Sequence, residues 1–140
     1  MTKFFSLIFI IFSISLSSFE QEYTSAQSKF SLLVHKTPTC GCCKKWVKHL
    51  EANSFSTMIK DHQNLQKVKD QYSIKPKYQS CHTAVSQDGY IFEGHIPSKF
   101  IKQFLANPEA DAIGLSVPGM PLGSPGMEVE GRFMPYDVLV

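Results

Sequence analysis

Apolar residues recur along this chain with two different spacings, and the switches between them lay out its elements. Phe30-Ser31-Leu32-Leu33-Val34 is a short apolar run of the kind that fills a buried strand. Beyond it Cys43, Trp46, Val47 and Leu50 fall on one helical face, predicting a helix over 40–52 with Thr39 as its N-cap. The polar Asn53-Ser54 pair turns the chain into a second strand, Phe55 to Ile59. Asp61 is then expected to cap a second helix carrying Leu65, Val68 and Tyr72, which Lys75-Pro76-Lys77 ends. Ser80 to Val85 and Tyr90 to Glu93 read as two strands joined through Gln87-Asp88-Gly89, because Asp-Gly favours a tight hairpin. Pro97 opens a last helix with Phe100, Ile101, Phe104 and Leu105 on one face, and Asn107-Pro108 closes it.

The resulting order is strand, helix, strand, helix, strand, strand, helix. A βαβ unit followed by a ββα unit is the thioredoxin pattern, so the expected class is α/β, with a thioredoxin-like βαβ–ββα core over Phe30 to Leu105. The rest departs from it. Residues 114–128 are dense in Gly and Pro and predict a long loop, and Pro135 to Val140 is expected to close the chain as an edge strand. Met120, Met127 and Met134 stand seven apart, but a spacing carries no meaning in a segment that is not helical.

At 140 residues, 43% hydrophobic and 12% aromatic, the chain has the material for one globular domain. Its beginning is a separate matter. Lys3 is followed by an apolar run from Phe4 to Leu16 and a polar stretch ending in Thr24-Ser25-Ala26, the layout of a secretory signal cleaved after Ala26. The run is short for a bilayer span, so residues 1–26 are read as a signal peptide and 27–140 as the domain. Removing Lys3, Glu20 and Glu22 leaves 13 basic and 10 acidic residues, a formal charge of +3 against +2 for the whole chain. That mild, scattered charge predicts no nucleic-acid partner, and no membrane partner is expected once the signal is gone.

Three of the four cysteines fall within four positions, in Cys40-Gly41-Cys42-Cys43 at the start of the first helix. Unpaired backbone N–H groups and the positive end of the helix dipole favour thiolate over thiol there, which readies sulfur for redox work or metal ligation. Adjacent Cys42 and Cys43 make poor anchors for two independent disulfides. Cys81 is expected at the start of a neighbouring strand, facing the other three. Four sulfurs so grouped suit a thiophilic ion, copper as Cu(I) ahead of Zn(II), and bridging thiolates could hold more than one ion. The thioethers of Met120 and Met127 are weaker candidates. His82 should point away from the Cys81 sulfur if strand alternation holds, and could act from behind it. His95, at a strand-to-helix junction, could approach the site. His49 and His62 read as solvated helix residues, and His35 lies late in the first strand.

Lys36-Thr37-Pro38-Thr39-Cys40-Gly41-Cys42-Cys43-Lys44-Lys45-Trp46, Ser80-Cys81-His82-Thr83-Ala84, Glu93-Gly94-His95-Ile96-Pro97 and the Gly/Pro/Met segment 114–128 together resemble the CopG-type copper-resistance proteins. These are unrelated to the DNA-binding repressors that share the name. The resemblance implies a periplasmic thioredoxin-like protein that binds copper through the cysteines matching Cys40, Cys42, Cys43 and Cys81, works beside other periplasmic copper-handling proteins, and has a proposed redox role toward copper. Lys75-Pro76 and Asn53-Ser54-Phe55 depart from the family's usual Gly-Val-Pro and Gly-Phe, in the scaffold rather than among the sulfurs. A periplasmic thiol-disulfide oxidoreductase using Cys40 and Cys43 is the alternative. Two extra thiols nearby would trap such an enzyme in competing disulfides.

Overall fold

The computed structural model describes residues 30–140, and the signal-peptide reading of 1–26 lies outside the described residues. The elements are β1 (Ser31–Lys36), α1 (Gly41–Ala52), β2 (Ser56–Asp61), α2 (Gln66–Gln71), a single 3-10 turn at Pro76–Tyr78, β3 (Thr83–Ser86), β4 (Ile91–Glu93), α3 (Ser98–Ala106) and β5 (Gly114–Ser116). They form one five-stranded mixed sheet in the order β2-β1-β3-β4-β5. β1 runs parallel to β2, from Ser31 opposite Ser56 to Lys36 opposite Asp61, and antiparallel to β3, from Leu32 opposite Ser86 to His35 opposite Thr83. This is the thioredoxin-like α/β arrangement that the apolar periodicity predicts.

The core lies where that periodicity put it. Leu32 and Val34 of β1 meet Trp46, Val47 and Leu50 of α1 and Ile101 and Phe104 of α3, with Ala84 and Phe92 from the central strands. The Trp46 indole N–H donates to the Ile96 carbonyl at 2.8 Å, so the one tryptophan is buried without an unmet donor. Gln87-Asp88-Gly89 does turn β3 into β4, with Gly89 at φ +86°.

Several expected boundaries move. Asp61 does not cap a helix: it ends β2, beside its register partner Lys36, whose ammonium it binds at 2.5 Å. The short α2 starts only at Gln66, where the Asn64 side-chain oxygen takes the Gln66 N–H at 2.8 Å. Its other end carries a Schellman pair, Ile74 N–H to Lys69 O and Ser73 N–H to Asp70 O, with the exposed Ser73 at φ +55°. A side chain is strained in that conformation, so Ser73→Gly should stabilise the protein by about 1 kcal/mol, read as a rise in the thermal midpoint.

The segment from Gly114 is not all loop, since Gly114–Ser116 pairs in parallel with β4 as a fifth strand. Gly114 at φ +153° lies so close to the Ile91 backbone that a Cβ has no room. The expected C-terminal edge strand shrinks to one bridge, Ser116 with Leu139, because the three-residue β5 offers so short an edge. At the opposite edge β2 is exposed along most of its length, Met58 and Ile59 included.

Candidate metal centre

The turn between β1 and α1 places the cysteines at the end of the sheet where β1 finishes. Cys40, not Thr39, is the N-cap: it is extended at φ −68° and ψ 98°, and its sulfur takes the Cys43 N–H at 3.3 Å. Cys42 and Cys43 follow in the first turn. Cys40 and Cys43 are joined in a disulfide, their Cα atoms 5.3 Å apart, and Cys42 and Cys81 are free thiols. Cys42 Sγ lies 3.5 Å from Cys40 Sγ and 3.9 Å from Cys81 Sγ, and Cys81 Sγ lies 3.4 Å from Cys43 Sγ. The four sulfurs thus form a closed ring, and all lie within 4.8 Å of one another.

Cys81 does face the helix cysteines, but not from a strand. β3 begins only at Thr83, so Cys81 and His82 sit in the segment before it. Side-chain alternation therefore does not apply, and His82 Nδ1 comes to 3.4 Å from the Cys81 sulfur rather than pointing away. The His82 ring is fully buried against Trp46 at 4.2 Å, with its Nε2 lacking any hydrogen-bond partner. Burial, then His95 and Lys69, hold its pKa well below the usual imidazole value. His95 is the better oriented ligand candidate, since both of its ring nitrogens have partners. Its Nδ1 is 2.8 Å from the Pro125 carbonyl, which can only accept, so the proton sits there. The lone pair on Nε2 then faces the Cys81 sulfur at 3.0 Å. Burial lowers the His95 pKa as well, partly offset by Pro125 and Glu128. Cys81, His82 and His95 form a second group of mutually close donors sharing one sulfur with the first.

Burial, then the neighbouring Cys42, push the Cys81 thiol up to about 12. The donor set fits a soft metal ion: it supplies sulfurs with nearby imidazole nitrogens, and the ion would reverse the penalty on Cys81.

Two features of the fold support the site, and the spacing of residues along the chain signals no role for the first of them, Glu93. Glu93, almost fully buried on β4, brackets the Cys81 segment: one carboxylate oxygen accepts from the Ser80 N–H at 2.6 Å and the other from the Thr83 hydroxyl at 2.6 Å. Lys69 reaches it from α2 as a buried ion pair. Burial raises the Glu93 carboxyl, while Lys69, Thr83 and Ser80 pull it down. The second support is the Gly/Pro/Met segment, which lies over α1. Gly126, at φ +88°, touches the Cys42 carbonyl and the Trp46 N–H so closely that a Cβ there would stand 2.7 Å from the Cys42 oxygen. Its N–H binds the Glu128 carboxylate at 2.9 Å. Met127 beside it is half-buried, whereas Met120 is 52% exposed.

His49 is not a solvated helix residue. It is half-buried, and its Nε2 accepts the Ser98 N–H at 3.1 Å, so a side chain of α1 caps α3. Burial lowers the His49 pKa from 6.5, partly offset by Glu128. Because the folded state favours the neutral ring, its contribution is complete above about pH 6.5 and falls away as pH drops below that value. Thermal midpoints should therefore decline from pH 7 to 5, and less steeply in His49→Ala, which has already lost the cap.

Fold and site together define a thioredoxin-like α/β protein with a four-cysteine centre at the start of its first helix. Residues 78–127 match the family model described as "Protein of unknown function, DUF411". No curated protein matches significantly. Two solved structures, "Copper resistance protein copG" in forms 1 and 2, each share 42% identity and superpose with a TM-score of 0.72. The alignments cover 78% and 77% of this chain and 85% of each of those chains. The chain belongs to the CopG copper-resistance family.

Proposed function

We propose that this protein binds copper as cargo, holding Cu(I) among Cys40, Cys42, Cys43 and Cys81, and so contributes to copper resistance. The carrying observation is the ring of four sulfurs within 4.8 Å, a soft donor set in which thiolates can bridge more than one ion. Family membership supports the choice of copper over other thiophilic ions. His95 through Nε2, and His82 behind Cys81, stand where they could add nitrogen donors or orient the sulfur. Met120 and Met127 would add only neutral thioethers, through the loop that Gly126 holds against α1. With residues 1–26 read as a removed signal, the work is placed in the periplasm, with other copper-handling proteins there as donors or acceptors.

The ring also favours a second reading. A Cys40–Cys43 disulfide at a helix N-terminus is what a thiol-disulfide oxidoreductase would use. Reduced protein loaded anaerobically with Cu(I) and Zn(II) together separates the two. Retention of at least one Cu(I) per chain, with zinc displaced, supports copper binding. A chain that retains no Cu(I) but reduces insulin disulfides overturns it in favour of the oxidoreductase.

A further inference from the structure

We infer a second metal site, made of His35 and His62, that takes a divalent first-row transition ion such as Cu(II). His35 stands near the end of β1 and is 5% exposed; His62 follows the end of β2 and is half-buried. The Nδ1 of His35 and the Nε2 of His62 face each other at 2.8 Å, with ring centroids 5.0 Å apart. The Tyr72 ring lies edge-on to His35 at 6.0 Å. The other nitrogen of His35, Nε2, is buried with no hydrogen-bond partner, so the pair is the only polar contact the His35 ring makes among the described residues.

The separation suits a metal. Two cis nitrogens about 2.0 Å from a square-planar ion are roughly 2.8 Å apart, so the donors already stand at that spacing. With His62 Nε2–H as the donor, His35 Nδ1 already holds a lone pair; the half-exposed His62 ring has to turn and pass its proton through solvent to its own Nδ1, which frees Nε2 for a shared ion. The outer positions of the ion would face solvent on the His62 side. Imidazole nitrogen suits borderline divalent ions, and among these Cu(II) binds most tightly. The chemistry therefore complements the sulfur ring, whose donors suit the softer Cu(I). Lys60, in register with His35, opposes a cation here, whereas the Lys36 charge is already neutralised by Asp61. The site shares no ligand with the sulfur centre, and it stands whether or not the copper-cargo reading does.

The test uses the whole protein in its Cys40–Cys43 disulfide form, with the thiols of Cys42 and Cys81 alkylated so that they neither bind nor reduce copper. Titration with Cu(II) alone, followed by electron paramagnetic resonance, should show an ion with hyperfine coupling to two imidazole nitrogens. His62→Ala should weaken that binding at least tenfold and remove one coupling. His49→Ala, which changes an imidazole elsewhere, should leave it unchanged. His62→Gln, which keeps size and polarity at the half-exposed position, should behave as His62→Ala does and guards against misfolding. A wild-type spectrum without imidazole coupling overturns the site, as does an unchanged spectrum in a folded His62 variant. A structural His–His hydrogen bond, by contrast, predicts lower thermal stability in these variants and no difference in Cu(II) binding.

Discussion

Replacing Cys81 by serine should abolish tight Cu(I) binding, although Cys81 lies 38 residues beyond Cys43 in the chain. Its sulfur closes the ring, at 3.4 Å from Cys43 Sγ and 3.9 Å from Cys42 Sγ, and it carries the contact to His95. A hydroxyl is a hard, protonated substitute for a soft thiolate. Changes in groups that merely support a ligand cost roughly 10–100-fold in affinity, so losing the ligand itself should cost more. Cys42→Ser should behave likewise, whereas Met120→Leu and Met127→Leu should have smaller effects. The oxidoreductase reading predicts a different pattern: Cys42→Ser and Cys81→Ser keep insulin reduction, and Cys40→Ser loses it. Cu(I) competition titrations on the reduced single variants decide this. Wild-type stoichiometry and affinity in both Cys42→Ser and Cys81→Ser would dismiss the four-sulfur site.

Glu93→Ala should be the most damaging single change away from the sulfurs. It strands the buried Lys69 ammonium, and breaking a buried pair from one side costs about 3–5 kcal/mol. At that size the thermal midpoint falls by roughly 10 °C or more. It also frees the Ser80 N–H and the Thr83 hydroxyl on either side of Cys81 and His82, so Cu(I) affinity should fall in whatever protein remains folded. The double variant Glu93→Gln with Lys69→Met separates the two effects. The amide oxygen can still accept a bond from the segment, and no charge is left unpaired. Stability and copper affinity should both largely return. Copper affinity that stays at the wild-type level in folded Glu93→Ala would show that Glu93 stabilises the fold without positioning Cys81.

Much of this architecture was legible because burial imposes a period. Trp46, Val47 and Leu50 could lie only on the buried face of α1, and Asp88-Gly89 could only turn a hairpin. The elements that were missed are those that no period reports. β5 is three residues long and begins with a glycine, so it left no alternation to read. Asp61 has a capping residue's chemistry, but the sheet claims it as the partner of Lys36. The gathering of the cysteines was legible, because three of them stand within four positions at a helix start and Cys81 opens the segment before a neighbouring strand. Its surroundings were less so. The expected strand from Ser80 to Val85 misplaces His82, because the ladder begins only at Thr83 and Glu93 holds the segment before it. His49 and His62 gave no sign of their partners, since capping α3 and meeting His35 join residues 49 and 27 positions apart.

If the four sulfurs hold the ion as proposed, the Cys40–Cys43 disulfide makes the ligand set conditional on electrons. With the bond closed, two sulfurs of the ring are committed to each other. Two electrons and two protons return them as thiols. An ion that binds only the four-thiol form therefore pulls the couple toward reduction, and a reducing environment tightens the hold on the ion. Electron pair and metal behave as mutually cooperative ligands, linked as any two sites on one protein are linked. Every tenfold preference of the ion for the reduced form shifts the couple by about 30 mV. An oxidising environment would unload the same site without any competing chelator.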